Sequence, residues 1–293
     1  MLDDKFTAVP YKIKVASVHP TSVRSHFHSA NIAHTKDCNC LLGLSLNNEQ
    51  FSLPKLQSMA AWIDQRFRKC RILVGDSIFR LTLQINEQLD EGASLEKARQ
   101  IGNTTIEQIM YIFDSAVDCQ FEIMRCSDTA NSPECSAYYE QLDALAAGDI
   151  NFEQSVRNFS LRFLQRHGQV APEPISLSRS RKYLLEEMAI ICCEYRHGFS
   201  AIVYPGSLTT VSEISEGLHP NAPYELKNMT TIELKLKRGG HEHRIETQAA
   251  LHKPRLFVED GEAMHLLASK QSHSTLEISA QGKETSASQA ITT

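Results

Sequence analysis

Ser45 stands where a short apolar run, Cys40 to Leu44, gives way to the polar stretch Asn47-Asn48-Glu49. In an open α/β sheet the carboxyl end of a strand borders a crevice, so a hydroxyl placed there is offered to a ligand and not to the core. That makes Ser45 a candidate nucleophile. Gly43-Leu44-Ser45 opens like the G-x-S-x-G nucleophile elbow of hydrolases, but position 47 is asparagine and the elbow is incomplete. Two other places carry groups able to handle protons or charge. Tyr183 and Glu187 lie four apart in a helix-forming stretch, with Ile190 seven beyond Tyr183, so all three project to one side. Tyr204 ends the apolar run Phe199 to Val203, and a phenol both donates and accepts.

The elements that must position these residues follow from periodicity. After Ser45 the chain offers Ser52 as an N-cap and Pro54 in a first turn, then Leu53, Leu56, Met59, Ala60, Ile63 and Phe67 at helical spacing. Tyr11 to Ser17 alternates and reads as a strand, expected beside Cys40–Leu44; His19 to Asn39 reads as loop. Arg71 to Val74 is a short buried strand and Leu81 to Leu89 a helix. A long helix is expected from Ser94, with a stripe of Ile106, Ile109, Met110, Phe113, Val117, Phe121 and Met124 carrying it towards Arg125. A loop from Ser127 to Pro133 leads to helices at Glu134–Ala146, Phe152–His167 and Ser178–Glu194. Thr230 to Lys237 alternates as a last strand, at a sheet edge given its lysines. Strand and helix alternate, which implies an α/β fold, a parallel sheet with helical crossovers. The expected organisation is a loose leader over 1–10, one domain over 11–238, and a tail over 239–293 whose later part is too poor in apolar anchors to order.

Composition narrows the class. With 293 residues and 42% hydrophobic content the chain can bury a sizeable core. No apolar run approaches the roughly 18 residues of a membrane span, and the start MLDDKFTAVPYK lacks the form of a signal peptide, so a cytoplasmic protein is expected. Eight scattered cysteines read as reduced thiols. His28, His34, Cys38 and Cys40 can be drawn as a zinc site, but Cys-x-Cys without a second cysteine pair is poor metal spacing, and no metal is expected. A net charge of −5 argues against non-specific binding to nucleic acid.

The run LLGLSLNNEQF, followed by Trp62 and Gln65-Arg66-Phe67, resembles the tRNA-dependent cyclodipeptide synthases, with their G-(I/L)-S-x-x-N core and W-x-x-Q-R-F helix end. Tyr183-x-x-x-Glu187 and Tyr204 extend the resemblance, which spans Leu41 to Lys237. Pro205 after the tyrosine places the chain with the branch written Y-P; that branch often lacks the asparagine three residues after the serine, yet Asn48 is present. The resemblance implies a Rossmann-like domain similar to the catalytic domain of class I tyrosyl- and tryptophanyl-tRNA synthetases. It implies two aminoacyl-tRNA substrates, no cofactor, no membrane and, with neither HIGH-like, KMSKS-like nor Walker sequences, no ATP; a monomer is expected. Ser45 would carry aminoacyl and dipeptidyl esters on the way to a 2,5-diketopiperazine, Tyr183 and Glu187 would hold the substrate amine, Tyr204 would relay protons, and Asn48 would assist. A pocket of Leu41, Gly43, Leu73, Gly75, Ile190, Ile191 and Ile202 would take a small or medium apolar side chain.

Binding tRNA with this net charge requires a local basic patch. Three are available: Arg66, Arg68, Lys69 and Arg71; Arg157, Arg162 and Arg166; and Arg179, Arg181 and Lys182, the last favoured for lying within a turn of Tyr183. Two other readings stay open. One is a serine hydrolase pairing Ser45 with His197 or His219; the other is a tRNA-binding protein without catalysis.

Overall fold

In a computed structural model of the chain, the structure describes residues 10–23, 37–114 and 116–238. The expected leader and tail, and His28 and His34 of the drawn zinc site, lie outside the described residues apart from Pro10. Six strands form one sheet: β1 (Tyr11–His19), β2 (Asn39–Leu44), β3 (Lys69–Val74), β4 (Gln120–Arg125), β5 (Ala201–Tyr204) and β6 (Thr230–Arg238). Their order is β1-β6-β5-β2-β3-β4. Nine α-helices are described between them: α1 (Leu53–Asp64), α2 (Asp76–Asn86), α3 (Glu91–Phe113), α4 (Cys126–Ala130), α5 (Pro133–Gly148), α6 (Ile150–Arg166), α7 (Pro174–Arg196), α8 (Thr209–Ser215) and α9 (Tyr224–Lys227).

β2 is apolar on both faces, and such a strand has to lie inside a parallel sheet covered on both sides. It pairs in parallel with β3, Gly43 opposite Leu73, and with β5, Leu41 opposite Ile202. Alternation then sends Leu42 and Leu44 into a core with α1 and α3, while Leu41 faces a second core built largely from α5, α6 and α7. From β2 the sheet grows one way through β3 and β4 and the other way through β5 and β6, so the chain reverses its winding between β2 and β5.

Four expectations are corrected. β1 does not lie beside β2; it pairs antiparallel with β6, matching Ile13 to Leu236 and Val15 to Leu234 on the inner face while Lys12 and Lys14 stand opposite Lys237 and Lys235 outside. A strand alternating in this way has only one face to bury, which suits an edge. β6 accordingly lies one place in from the edge, with β1 as the border strand. The long helix starts at Glu91, where the Asp90 carboxylate caps the Ala93 N–H, and it ends at Phe113. Phe121 and Met124 belong to β4. Their spacing continues the helical stripe by coincidence, and the turn between is fixed by Asp64, whose carboxylate accepts the N–H groups of Asp118 at 2.9 Å and Cys119 at 2.7 Å. The segment expected as loop after Ser127 contains the short helix α4. None of the eight cysteines is in a disulfide.

Charged side chains fasten the helices to the sheet. Asp76, fully buried at the start of α2, accepts from the Ser127 N–H at 2.9 Å and hydroxyl at 2.6 Å, joining the ends of β3 and β4. Glu194 is fully buried on α7; it pairs with Arg71 of β3 and accepts from Thr129 at 3.1 Å. Arg71 also bonds Glu122 and lies over the Phe199 ring. Removing one partner of a buried pair leaves the other charge uncompensated. Glu194→Ala is therefore expected to lower folding free energy by about 3 kcal/mol, at the low end of such losses because Arg71 keeps Glu122. Urea denaturation of the two proteins checks this.

Candidate active site

The reversal of winding brings two strand ends side by side, and each carries a hydroxyl. Ser45 follows the last residue of β2 and Tyr204 ends β5; their oxygens lie 3.1 Å apart, and either can donate. Alternation puts Leu41, Gly43 and Ser45 on the β2 face that looks towards α7. The turn beyond Ser45 is made by Asn47, which takes the left-handed conformation with φ of 55°. Asparagine tolerates that region better than most residues, so Asn47 does what glycine does at the closing position of a nucleophile elbow. Next to it, the Gly75 N–H donates to the Leu44 carbonyl at 3.0 Å, and a Cβ on Gly75 would come within 3.3 Å of that oxygen. The end of β3 thus sits hard against the serine turn. The ring of Tyr204 rests on Phe51, centroids 5.7 Å apart.

α7 supplies the other wall. Tyr183, Glu187 and Ile190 share one face, as their spacing predicts. Burial pushes the Tyr183 phenol well above its ordinary value, helped by the nearby Glu187 charge, while a hydrogen bond with Ser45 works the other way. Tyr204 is raised for the same first reason, with its Ser45 bond and the Arg166 charge opposing. Both phenols therefore stay protonated through the neutral range, as hydroxyls that donate to or accept from Ser45. Glu187 differs. It keeps some exposure, yet loss of water pushes its carboxyl up to about 7, and no cation among the described residues offsets this. Its neighbour Glu186 is engaged, held in two bonds of 2.7 Å each by Arg80.

The structure thus brings together Ser45, Tyr183, Glu187 and Tyr204 from a chain in which they span 160 residues. Leu41, Leu73, Ile190, Ile191 and Ile202 of the expected pocket meet in one buried cluster, with Tyr183 and Tyr204 packed against it. Gly43 lies beside the Tyr204 ring and Gly75 at the serine turn. Asn48 stands apart: it is exposed, and its side chain caps the turn Glu49–Phe51 by accepting the Gln50 N–H at 3.0 Å.

Neither histidine nominated for a hydrolase triad reaches Ser45. His197 follows the end of α7, where Asn39 bonds the Gly198 carbonyl, at the opposite end of β2. His219 packs edge-on against Phe152 at 5.2 Å; its ring nitrogens make no hydrogen bond among the described residues, and Nε2 lies 3.7 Å from the Glu213 carboxylate. The favoured cations are also committed elsewhere. Arg179 donates to the Gln84 carbonyl at 2.8 Å, Arg181 pairs with Asp143, and Lys182 approaches Glu186 at 3.8 Å. These contacts tie α7 to α2 and α5, so the three cations already have partners within the chain. Phe159 and Phe163 of α6 were not foreseen; they lie along Tyr183 at centroid distances of 6.2 and 5.1 Å. Their i, i+4 spacing marks a helix face but not which tyrosine it would meet.

Comparisons with known proteins bear on the family and the fold. The cyclodipeptide synthase family model matches residues 22–191, more than half of the chain. No curated protein sequence matches. Among solved structures, a cyclodipeptide synthase from Fluoribacter dumoffii superposes with a TM-score of 0.64 at 19% identity, covering 78% of this chain and 100% of that one. One from Candidatus Glomeribacter gigasporarum, bound to Phe-tRNAPhe, gives 0.56 at 14% identity over 81% of this chain and 99% of that one. A Mycobacterium tuberculosis protein used to relate cyclodipeptide synthetases to type I tRNA synthetases gives 0.56 at 13% identity over 78% of this chain and 94% of that one. At these identities the structures speak to the Rossmann-like fold alone, whereas the family match covers the Ser45 turn, Tyr183, Glu187 and most of α7. The chain belongs to the cyclodipeptide synthase family.

Proposed function

We propose that the chain joins two aminoacyl groups, delivered as esters on tRNA, into a cyclic dipeptide by way of esters on Ser45. The observation that carries this reading is the meeting of a serine hydroxyl, two protonated phenols and a half-buried carboxyl without a cation at the point where the sheet reverses its winding. Ser45 Oγ attacks the ester carbonyl of the first aminoacyl-tRNA, the acyl–oxygen bond to the ribose breaks, and the serine proton passes by way of Tyr204 to the departing ribose oxygen. The α-amine of a second aminoacyl-tRNA then attacks the Ser45 ester. The resulting dipeptide is transferred back to Ser45 as its tRNA leaves, and the free amine closes on that ester to release the ring and the serine.

Glu187 suits the amine. An arriving ammonium supplies the missing positive charge and draws the carboxyl into its ionised form, giving a charge-assisted bond. A base near 7 is also well matched to accept a proton from an α-ammonium of pKa about 8, which must be lost before the nitrogen attacks. Tyr183 fixes the geometry from the same helix face. The cluster of Leu41, Leu73, Ile190, Ile191 and Ile202 receives the first side chain, and an apolar one fits it. Asn48 acts through the serine turn, by capping the segment that carries Phe51 to Tyr204. No ATP enters, because the ester bonds to tRNA already hold the energy for acyl transfer.

Ser45→Ala is expected to abolish cyclic dipeptide and trapped aminoacyl-enzyme while leaving the thermal midpoint near wild type; mass spectrometry of the medium after heterologous expression reads the first. Product at near wild-type yield would end the covalent scheme. Glu187→Gln should cut product by at least about a hundredfold, whereas Glu186→Gln, which loosens an ion pair with Arg80, should show mainly in stability.

Glu187 also makes a pH signature. Its folded value of about 7 lies above the ordinary 4.5. Between those values the folded chain holds a proton that the unfolded chain has lost, so this contribution to stability is complete below about 4.5 and falls as pH rises to about 7. Glutamine does not titrate. Denaturation of wild type and Glu187→Gln from pH 4.5 to 8 should show the difference moving towards the variant by up to about 3 kcal/mol, and a flat difference would remove the buried-carboxylate argument.

A further inference from the structure

Charge is unevenly spread along this chain. From Gln154 to Leu185 there are six cations, Arg157, Arg162, Arg166, Arg179, Arg181 and Lys182, against one acid, Glu173, in a protein of net charge −5. The segment is the second half of α6, its connection, and the first half of α7. Three of the six are spent on Gln84, Asp143 and Glu186, as described above. Arg157, Arg162 and Arg166 are exposed on α6, and among the described residues no hydrogen bond or ion pair engages any of the three guanidinium groups. Their exposed neighbours Gln154, Asn158 and Gln165 are uncharged.

The inner side of the same helix touches the chemistry. Phe163 packs at a tilt against Tyr183, centroids 5.1 Å apart, and Arg166 lies three residues further along, within a turn of that contact. Arg166 is close enough for its charge to be felt at the Tyr204 phenol. The other basic groups fail on position or on partners. Arg66 lies over the Trp62 ring and donates to its carbonyl, while Lys69 and Arg71 pair with Glu122. Arg68 sits where β3 begins, its carbonyl bonded by Gln120, at the end of the sheet away from Ser45. On α3, Lys97 and Arg99 are outnumbered by Glu91, Glu96 and Glu107.

We propose that the i, i+4 pair Arg162 and Arg166, exposed on the outward face of α6, is the phosphate track of this protein, guiding the acceptor strand of aminoacyl-tRNA to Ser45. This rests on the aminoacyl-tRNA reading above. Guanidinium groups suit the task because their planar donors meet phosphate oxygens in pairs, and neutralising phosphates releases counterions that supply much of the affinity for a polyanion. The track is a positioning device: it touches the substrate's backbone and not the reacting atoms.

The experiment compares wild type, Arg162→Glu/Arg166→Glu and Arg162→Lys/Arg166→Lys in cyclic dipeptide formation from purified aminoacyl-tRNA at several KCl concentrations. The double reversal should raise KM by roughly tenfold or more and leave kcat within about twofold; its plot of log kcat/KM against log salt should be shallower by about 1.4, at roughly 0.7 per single-stranded phosphate. The lysine pair should restore most of the KM, and thermal midpoints should agree. An unchanged KM and salt slope, or a loss in kcat alone, overturns the proposal. If the double reversal fails to fold, Arg162→Gln/Arg166→Gln carries the same test with a smaller KM effect. A wild-type protein that forms no product from any aminoacyl-tRNA would instead overturn the function on which the proposal rests. Arg179→Glu/Arg181→Glu serves as contrast: it should lower the thermal midpoint, because those side chains hold Gln84 and Asp143.

Discussion

A strand buried on both faces has no freedom in where it goes. β2 must be flanked by parallel neighbours and covered by helices above and below, and the chain meets that demand by winding outward from it in both directions. The two windings part between β2 and β5, and crossovers on either side lead away from that place. The proposed catalytic groups meet there. Ser45 and Tyr204 can share a hydrogen bond because β2 and β5 are adjacent and parallel, so their carboxyl ends finish at the same level.

Electrostatics in this place is arranged by subtraction. Elsewhere buried or half-buried charges are matched: Glu194 with Arg71, Glu186 with Arg80, Asp76 with the Ser127 backbone and hydroxyl. Glu187 is given surroundings of the same kind but no cation, and its proton is held more tightly as a result. The two phenols, also deprived of water, keep their hydrogens. A site made in this way holds a carboxyl that ionises near neutrality with no cation beside it, which favours an arriving positive charge.

Much of this was legible in residue order. The strand, serine turn and helix around Ser45, the common face of Tyr183 and Glu187, and Tyr204 at a strand end are local features, and local periodicity reads them. The errors came where periodicity is blind to partners. Phe121 and Met124 fall at helical intervals from Phe113, and only the Asp64 carboxylate, far away in the chain, shows that the helix has already ended. β1 alternates as a strand should, but nothing in it says that β6 and not β2 will be its neighbour. Arg179 and Arg181 look free in sequence because Gln84 and Asp143 are distant there. The packing of Phe163 against Tyr183 is hidden for the same reason.

The two cores on either side of the sheet differ in what they are asked to do. One, with α1 and α3, holds Leu42, Leu44, Met59 and Ile63 and borders the site through the Phe51 and Tyr204 rings. The other, with α5 to α7, is the wall against which Tyr183 and Tyr204 lie and, in the proposed reaction, the substrate side chain as well. Mutational drift can therefore proceed at different rates on the two faces of one sheet. Substitutions under α1 and α3 are judged by packing alone and can bank stability, whereas those under α7 alter packing and substrate choice together. Stability gained on the first face is what lets the second change its substrate without the fold being lost.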